Sequence, residues 1–131
     1  MIVTTDIANI LFRDCKSFGI KTVPFGKTIT GELKEECITI HVKGQTSGTY
    51  WEKCFVEVNL CVPNLRDGEA NTIRLNELER LAKDKFKEDI VSHYNNTSYR
   101  YAYETISIER DDALKCRFVN CRLLFNVFNT N

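Results

Sequence analysis

Hydrophobic residues recur along this chain with two different periods, and each change of period marks an element. Ile7, Ile10, Leu11, Cys15 and Phe18 repeat at three- and four-residue steps, which places them on one stripe of a helix. Thr4 or Thr5 can cap this helix, Asp6 suits its first turn, and Gly19 supplies the stop. Residues 20–36 show no period: Val23-Pro24-Phe25-Gly26 reads as a short extended piece with a turn, and Glu32 to Glu36 is a charged, exposed run. From Cys37 to Lys43 the period becomes two, with Ile38, Ile40 and Val42 facing inward. Gly44 to Thr49 is a polar connection to a second, longer strand from Tyr50 to Val62, closed by Pro63. Cys54, Val56, Val58, Leu60 and Val62 share one face of it; Trp51, Lys53, Phe55, Glu57, Asn59 and Cys61 share the other.

After a turn at Asn64 to Gly68, helical spacing returns. Leu75, Leu78, Ala82, Phe86 and Ile90 line one side of a helix expected over 69–92, with Ile73 and Leu81 flanking and charged residues covering the rest. Residues 94–98 read as a loop. Tyr99 to Arg110 alternates, with Ile106 and Ile108 on one side and Tyr101, Tyr103, Thr105 and Ser107 on the other. Asp111-Asp112-Ala113 makes a turn into a last strand, Lys115 to Phe128, whose two faces carry Val119, Cys121, Leu123, Phe125 and Val127 against Cys116, Phe118, Asn120, Arg122, Leu124, Asn126 and Phe128. The expected architecture is a single α+β domain over residues 1–131, in the order α-β-β-α-β-β. Two hairpins form one mainly antiparallel sheet, with two helices packed on it.

Composition narrows the function more than it names it. A chain of 131 residues that is 43% hydrophobic can bury a substantial core. Lys plus Arg and Asp plus Glu are 18 each, so the basic excess of nucleic-acid binders is missing and no sequence-specific nucleic-acid partner is expected. A near-neutral surface is compatible with self-association. No apolar run is long enough to span a bilayer, and Met1 to Asp6 lacks the basic-then-apolar build of a signal peptide. The expectation is therefore no membrane partner and reduced cysteines.

Candidate chemistry is sparse. The six cysteines, at 15, 37, 54, 61, 116 and 121, include no Cys-x-x-Cys pair. Odd separations send Cys54 and Cys61 to opposite faces, and likewise Cys116 and Cys121, so buried thiols rather than a metal site are expected. Gly26-Lys27-Thr28 resembles the end of a phosphate-binding loop, but Lys21 stands where the motif needs its first Gly, and the following residues favour an extended path. His93 reads as a residue at the C-terminus of the second helix. His41 lies mid-strand on the non-core face, where a cysteine of a neighbouring strand could make a Cys–His pair at a distance the sequence does not fix. Asp111 and Asp112 read as turn residues. No catalytic, cofactor-binding or metal-ligating residue is assigned, and the expectation is a protein that is not an enzyme. The assigned candidates are rings. Trp51, Phe55, Tyr101, Tyr103, Phe118 and Phe128 fall opposite the aliphatic rows, and either the first helix or a second molecule could cover them.

The order and proportion of these segments resemble the tail-terminator (tail-completion, minor tail) proteins of long-tailed bacteriophages and prophages. The resemblance rests on the N-terminal helix and on the long strand Tyr50-Trp51-Glu52-Lys53-Cys54-Phe55-Val56-Glu57-Val58-Asn59-Leu60-Cys61-Val62-Pro63. It extends to the acidic turn before the second helix, the Tyr-rich strand, the turn Arg110-Asp111-Asp112-Ala113 and the final alternating strand. It implies a structural protein that caps the tail tube as a ring, typically a hexamer, and joins tail to head. The partners would then be other copies of itself, the tail tube protein and a head–tail connector protein. The implied location is the virion tail, and the bacterial host cytoplasm during assembly. No cofactor is implied. A small protein-binding module of the cell, or a head–tail connector protein, is the alternative. The six cysteines and the stretch from Lys27 to Glu36 depart from the pattern.

Overall fold

The computed structural model describes residues 1–45 and 52–128. In chain order these form helix α1 (Thr4–Asp14), strands β1 (Cys37–Val42) and β2 (Glu52–Pro63), helix α2 (Thr72–Phe86), and strands β3 (Ile90–Tyr94), β4 (Thr97–Asp111) and β5 (Cys116–Val127). The strands build one antiparallel sheet in the order β1-β2-β5-β4-β3. The α+β class and the two expected hairpins, β1-β2 and β4-β5, are present. The element order is not the expected one, because β3 stands between α2 and β4.

The extra strand follows from a local signal that helical periodicity obscures. Asn95 and Asn96 both adopt positive φ, 48° and 62°, between the paired residues Tyr94 and Thr97. That is the geometry of a two-residue hairpin turn, which Asn tolerates better than most residues. The β-branched pair Ile90-Val91 favours the strand on its N-terminal side. Helix α2 therefore stops at Phe86, and His93, expected at a helix end, lies on β3 opposite Ser98. At the other end Asn71 caps α2 by accepting a hydrogen bond from the Arg74 N–H at 3.3 Å.

Helix α1 starts differently from expectation. Thr4 and Thr5 are already helical, so neither is the cap; the Asp6 carboxylate reaches back to accept the Val3 N–H at 2.9 Å. A short 3-10 turn, Cys15–Phe18, prolongs the helix, and Gly19 ends it with φ at +71°.

Both helices lie on one face of the sheet, α1 over β1 and α2 over β4, β5 and β2. Their stripes, Ile7, Ile10, Leu11 and Cys15 on the first and Leu75, Leu78, Ala82 and Phe86 on the second, are at most 2% exposed. They meet rows contributed by successive strands, such as Ile40-Val58-Cys121-Ile106 and Ile38-Leu60-Val119; Ile108, next in the second row, is 45% exposed. Burying each large aliphatic or aromatic side chain contributes about 1.5–3 kcal/mol.

A β-bulge in β4 decides which residues join this core. Tyr103 pairs with Leu123, but Thr105 pairs with Arg122, so Glu104 is an extra residue. Tyr99, Tyr101 and Tyr103 before it thus share a face with Ile106 and Ile108 after it, although strict alternation separates them. Tyr99 and Tyr101 each stack on Phe125 at 5.3 Å, and Tyr101 reaches Phe86 at 6.1 Å. Their hydroxyls end at the C-terminus of α1. Tyr101 Oη donates to Asp14 Oδ2 at 2.7 Å, and Arg13 donates to Tyr99 Oη at 2.8 Å.

Two stability outcomes follow. Deleting Glu104 is expected to abolish the cooperative urea transition by turning the tyrosines out of the core, whereas Glu104→Ala should stay within about 0.5 kcal/mol of the parent. A deletion variant as stable as the parent would show that the extra residue does not set the facing. Tyr101→Phe should cost about 1.5–3 kcal/mol in the same measurement, because it removes a buried hydrogen bond to a carboxylate.

Candidate functional site

Among the described residues no helix lies on the second face of the sheet, and its side chains form ladders across the strands. One row is Phe55-Leu124-Ala102, and the next is His41-Glu57-Arg122 with Glu104 and Thr105. Beyond them lie Thr39-Asn59-Asn120-Ser107 and Cys37-Cys61-Phe118-Glu109. The apolar first row is half-exposed throughout. The Arg122 guanidinium lies 4.0 Å from the centroid of the Phe55 ring, and its Nε is 3.7 Å from Glu104. In the third row Asn120 donates to Asn59 Oδ1 at 2.7 Å, which satisfies two amides at the middle of the sheet.

Residues 20–36 fold back over one end of this face. Thr22 forms a parallel bridge with Ile38, and Leu33 hydrogen-bonds Leu114 through its N–H. Glu36 is held by a two-pronged ion pair from Arg74 at 2.8 and 2.9 Å. Gly26-Lys27-Thr28 belongs to a tight turn here: the Lys27 N–H donates to Pro24 O at 3.1 Å, with Gly26 at φ +90°. No helix begins at Lys27, in keeping with the reading that it is not a phosphate loop.

Between this strap and the sheet lies a cleft of about 540 Å³, bordered by Phe25, Lys27, His41, Cys61, Cys116 and Phe118 among others. Beneath it Leu33, Cys37, Cys61 and Cys116 form a small second core, with Val23, Ile29, Leu114 and Phe118 packed around it. The six cysteines are all free and buried, and they divide across the sheet: Cys15, Cys54 and Cys121 on the helix side, Cys37, Cys61 and Cys116 on the strap side. Burial raises the thiols on the helix side, to about 12 for Cys15 and Cys121 and about 11 for Cys54. Burial likewise raises Cys116 to about 11. Cys37 alone is lowered and Cys61 is raised, each chiefly through its side-chain interaction with the other, while the Cys61 S–H donates to Asn59 O at 3.8 Å.

His41 does not pair directly with a cysteine. Its Nε2 is 3.1 Å from Thr39 Oγ1. Desolvation, then the charge of Lys43, lowers the imidazole below its ordinary value. Asp111 serves its turn as expected, accepting the Leu114 N–H at 3.0 Å. Among the described residues no group of His, Cys, Asp and Glu has the geometry to hold a metal ion.

The candidate rings do not share one surface. Phe55 and Phe118 lie on the helix-free face, Phe118 as part of the second core. Tyr101 is 0% exposed beneath the helices and Tyr103 packs on the same core. Both are thus corrected from the opposite face, and the cause is the Glu104 bulge. Phe128 follows β5 and is 36% exposed; Trp51 lies outside the described residues. Leu124 and Ala102, absent from the ring-based candidates, complete the apolar row around Phe55. Alternation already puts Leu124 there, but Ala102 needs the bulge.

No protein-family model matches the sequence, and no curated protein matches it either. No helix among the described residues is long and apolar enough to cross a membrane.

The environment of His41 is testable by titration. Its Cε1–H resonance should titrate below pH 6.5, the ordinary value, and Lys43→Met should move the midpoint upward. The folded ring binds its proton more weakly than the unfolded one. Its contribution to stability is therefore complete above about pH 6.5 and is lost as pH falls through 6.5 toward the folded value. An unchanged midpoint in the Lys43 variant would remove Lys43 as a cause.

Proposed function

We propose that this chain is an assembly protein that closes a head-to-tail ring at the end of a phage tail tube and presents that ring to the head. The observation that carries the reading is the helix-free sheet face. Its apolar row Phe55-Leu124-Ala102 stays half-exposed, and Arg122 beside it is stacked on an aromatic ring. Arg and aromatic residues are the side chains that most often anchor protein interfaces. The end strand β3 offers a second, different patch, since it pairs on one side only and leaves Val91 67% exposed. A ring contact needs two unlike patches of this kind. The balance of 18 basic and 18 acidic residues lets copies approach without strong repulsion. In this reading the chain acts as a shape, the tube protein and a connector protein are its further partners, and the assembled tail is its location.

The cleft favours a second reading, a binding module for a small ligand or peptide. Its volume of about 540 Å³ is in the range of small-molecule sites.

Sedimentation velocity over a wide concentration range, with negative-stain microscopy, separates the two. The ring reading expects a closed oligomer that Phe55→Asp and Leu124→Asp each dissociate into folded monomers, with far-UV circular dichroism unchanged. A wild-type protein that stays monomeric throughout, or an oligomer indifferent to both substitutions, would sink it.

A further inference from the structure

We propose that the open edge of β1 beside the cleft is a docking groove for an extended acidic peptide of a partner protein, which joins the sheet as a short added strand. The inference deepens the binding-module reading above and rests on it. The sheet sets the groove. β1 is an end strand, so only one of its sides is paired within the sheet. The Lys43 N–H donates to Phe55 O at 2.9 Å, toward β2. Ile38 turns both its backbone groups away from β2, its N–H to Lys21 O and its C=O to the Val23 N–H, each at 2.8 Å. Alternation then points the N–H and C=O of Ile40 and Val42 outward as well.

The strap covers this edge only at its start. Thr22 bridges Ile38 in parallel, and a continued ladder would bring Val23 and Phe25 to Ile40 next. Instead Pro24-Phe25-Gly26-Lys27 closes a tight turn, with the Lys27 N–H on Pro24 O and Gly26 at φ +90°. Among the described residues no backbone bond reaches the outward groups of Ile40 or Val42. The turn thus stops pairing within the chain and leaves donors and acceptors at the spacing of a peptide backbone.

The cleft runs along this row. Ile40 and Val42 border it, although their side chains pack with the main core on the helix side; what they bring to the cleft is backbone. Phe25, which is 47% exposed, and Phe118 offer apolar contact to the side chains of an added strand. Charge at the rim selects the sign of the partner. Lys43 is already paired with Glu57 at 3.5 Å, and Asp111 accepts the Leu114 N–H. Lys27 makes no ion pair among the described residues. The uncommitted charge is positive, and an acidic side chain answers it. In strand addition main-chain bonds supply affinity and side-chain contacts supply choice. A small organic acid would meet Lys27 but leave the backbone row unused, which is why a peptide fits better.

The test is amide hydrogen exchange on the full chain, read by NMR, with an acetylated and amidated pentapeptide that alternates Glu and Val as the probe. In the free protein the Ile40 and Val42 amides should exchange fast, while those of Thr39 and His41, which face β2, exchange slowly. Saturating peptide should slow Ile40 and Val42 about tenfold and leave Thr39 and His41 unchanged. The same peptide N-methylated at every amide should not bind. A Lys-Val counterpart should bind about fivefold more weakly, and Lys27→Glu should invert that order. Slow exchange of Ile40 and Val42 in the free, dilute chain would mean that the chain covers its own edge. Protection that grows with protein concentration would put a second copy there. Either result overturns the proposal. Peptide-induced shifts at Phe25 and Phe118 without protection of Ile40 and Val42 would overturn the added strand and leave a binding module standing; no shift anywhere would sink both.

Discussion

Everything in this fold depends on β4 delivering two kinds of side chain to the same face of the sheet. Its N-terminal half carries three tyrosines and its C-terminal half carries Ile106 and Ile108, and alternation alone would put these on opposite sides. One extra residue, Glu104, restores them to one side. The consequences run outward from that point. The tyrosine rings enlarge the core enough for two helices to share it, while Glu104 and Thr105 both come to rest opposite Arg122 on the other face. Burying Tyr99 and Tyr101 then obliges their hydroxyls to find partners. They find them in Arg13 and Asp14, which fixes the end of α1 over the sheet.

The same constraint explains why much of the fold was legible in the sequence and part of it was not. The stripes of α1 and α2 and the alternating rows of β1, β2 and β5 are written in periods of 3.6 and 2, and the structure keeps them. Two features break the period locally. The bulge inserts one residue with no marker in composition, since Glu and Thr are both ordinary in an exposed strand. The β3 hairpin is announced only by Asn95-Asn96, and Ile90 continues the helical stripe of α2 by coincidence of spacing. The site suffered accordingly. Strict alternation puts Tyr101 and Tyr103 on the wrong face and hides Ala102 for the same reason. The facing of Cys54, Cys61, Cys116 and Cys121 was readable, because no bulge interrupts β2 or β5. That Cys37 lies across from Cys61 was not, because alternation fixes which face a residue takes and leaves the register between strands open.

With both helices on one side, the sheet has two faces of different character. The helix side is lined by apolar side chains, and the Tyr99 and Tyr101 hydroxyls reach its margin at Arg13 and Asp14. The other side is graded along the strands, from the apolar row at Phe55 through charge at Arg122 and amides at Asn59 and Asn120 to the thiols beneath the strap. Only that last part is covered, and the cover is attached at separate points: Thr22 against Ile38, Leu33 to Leu114, Glu36 to Arg74. A polar band of paired amides thus divides an apolar patch open to solvent from a small second core.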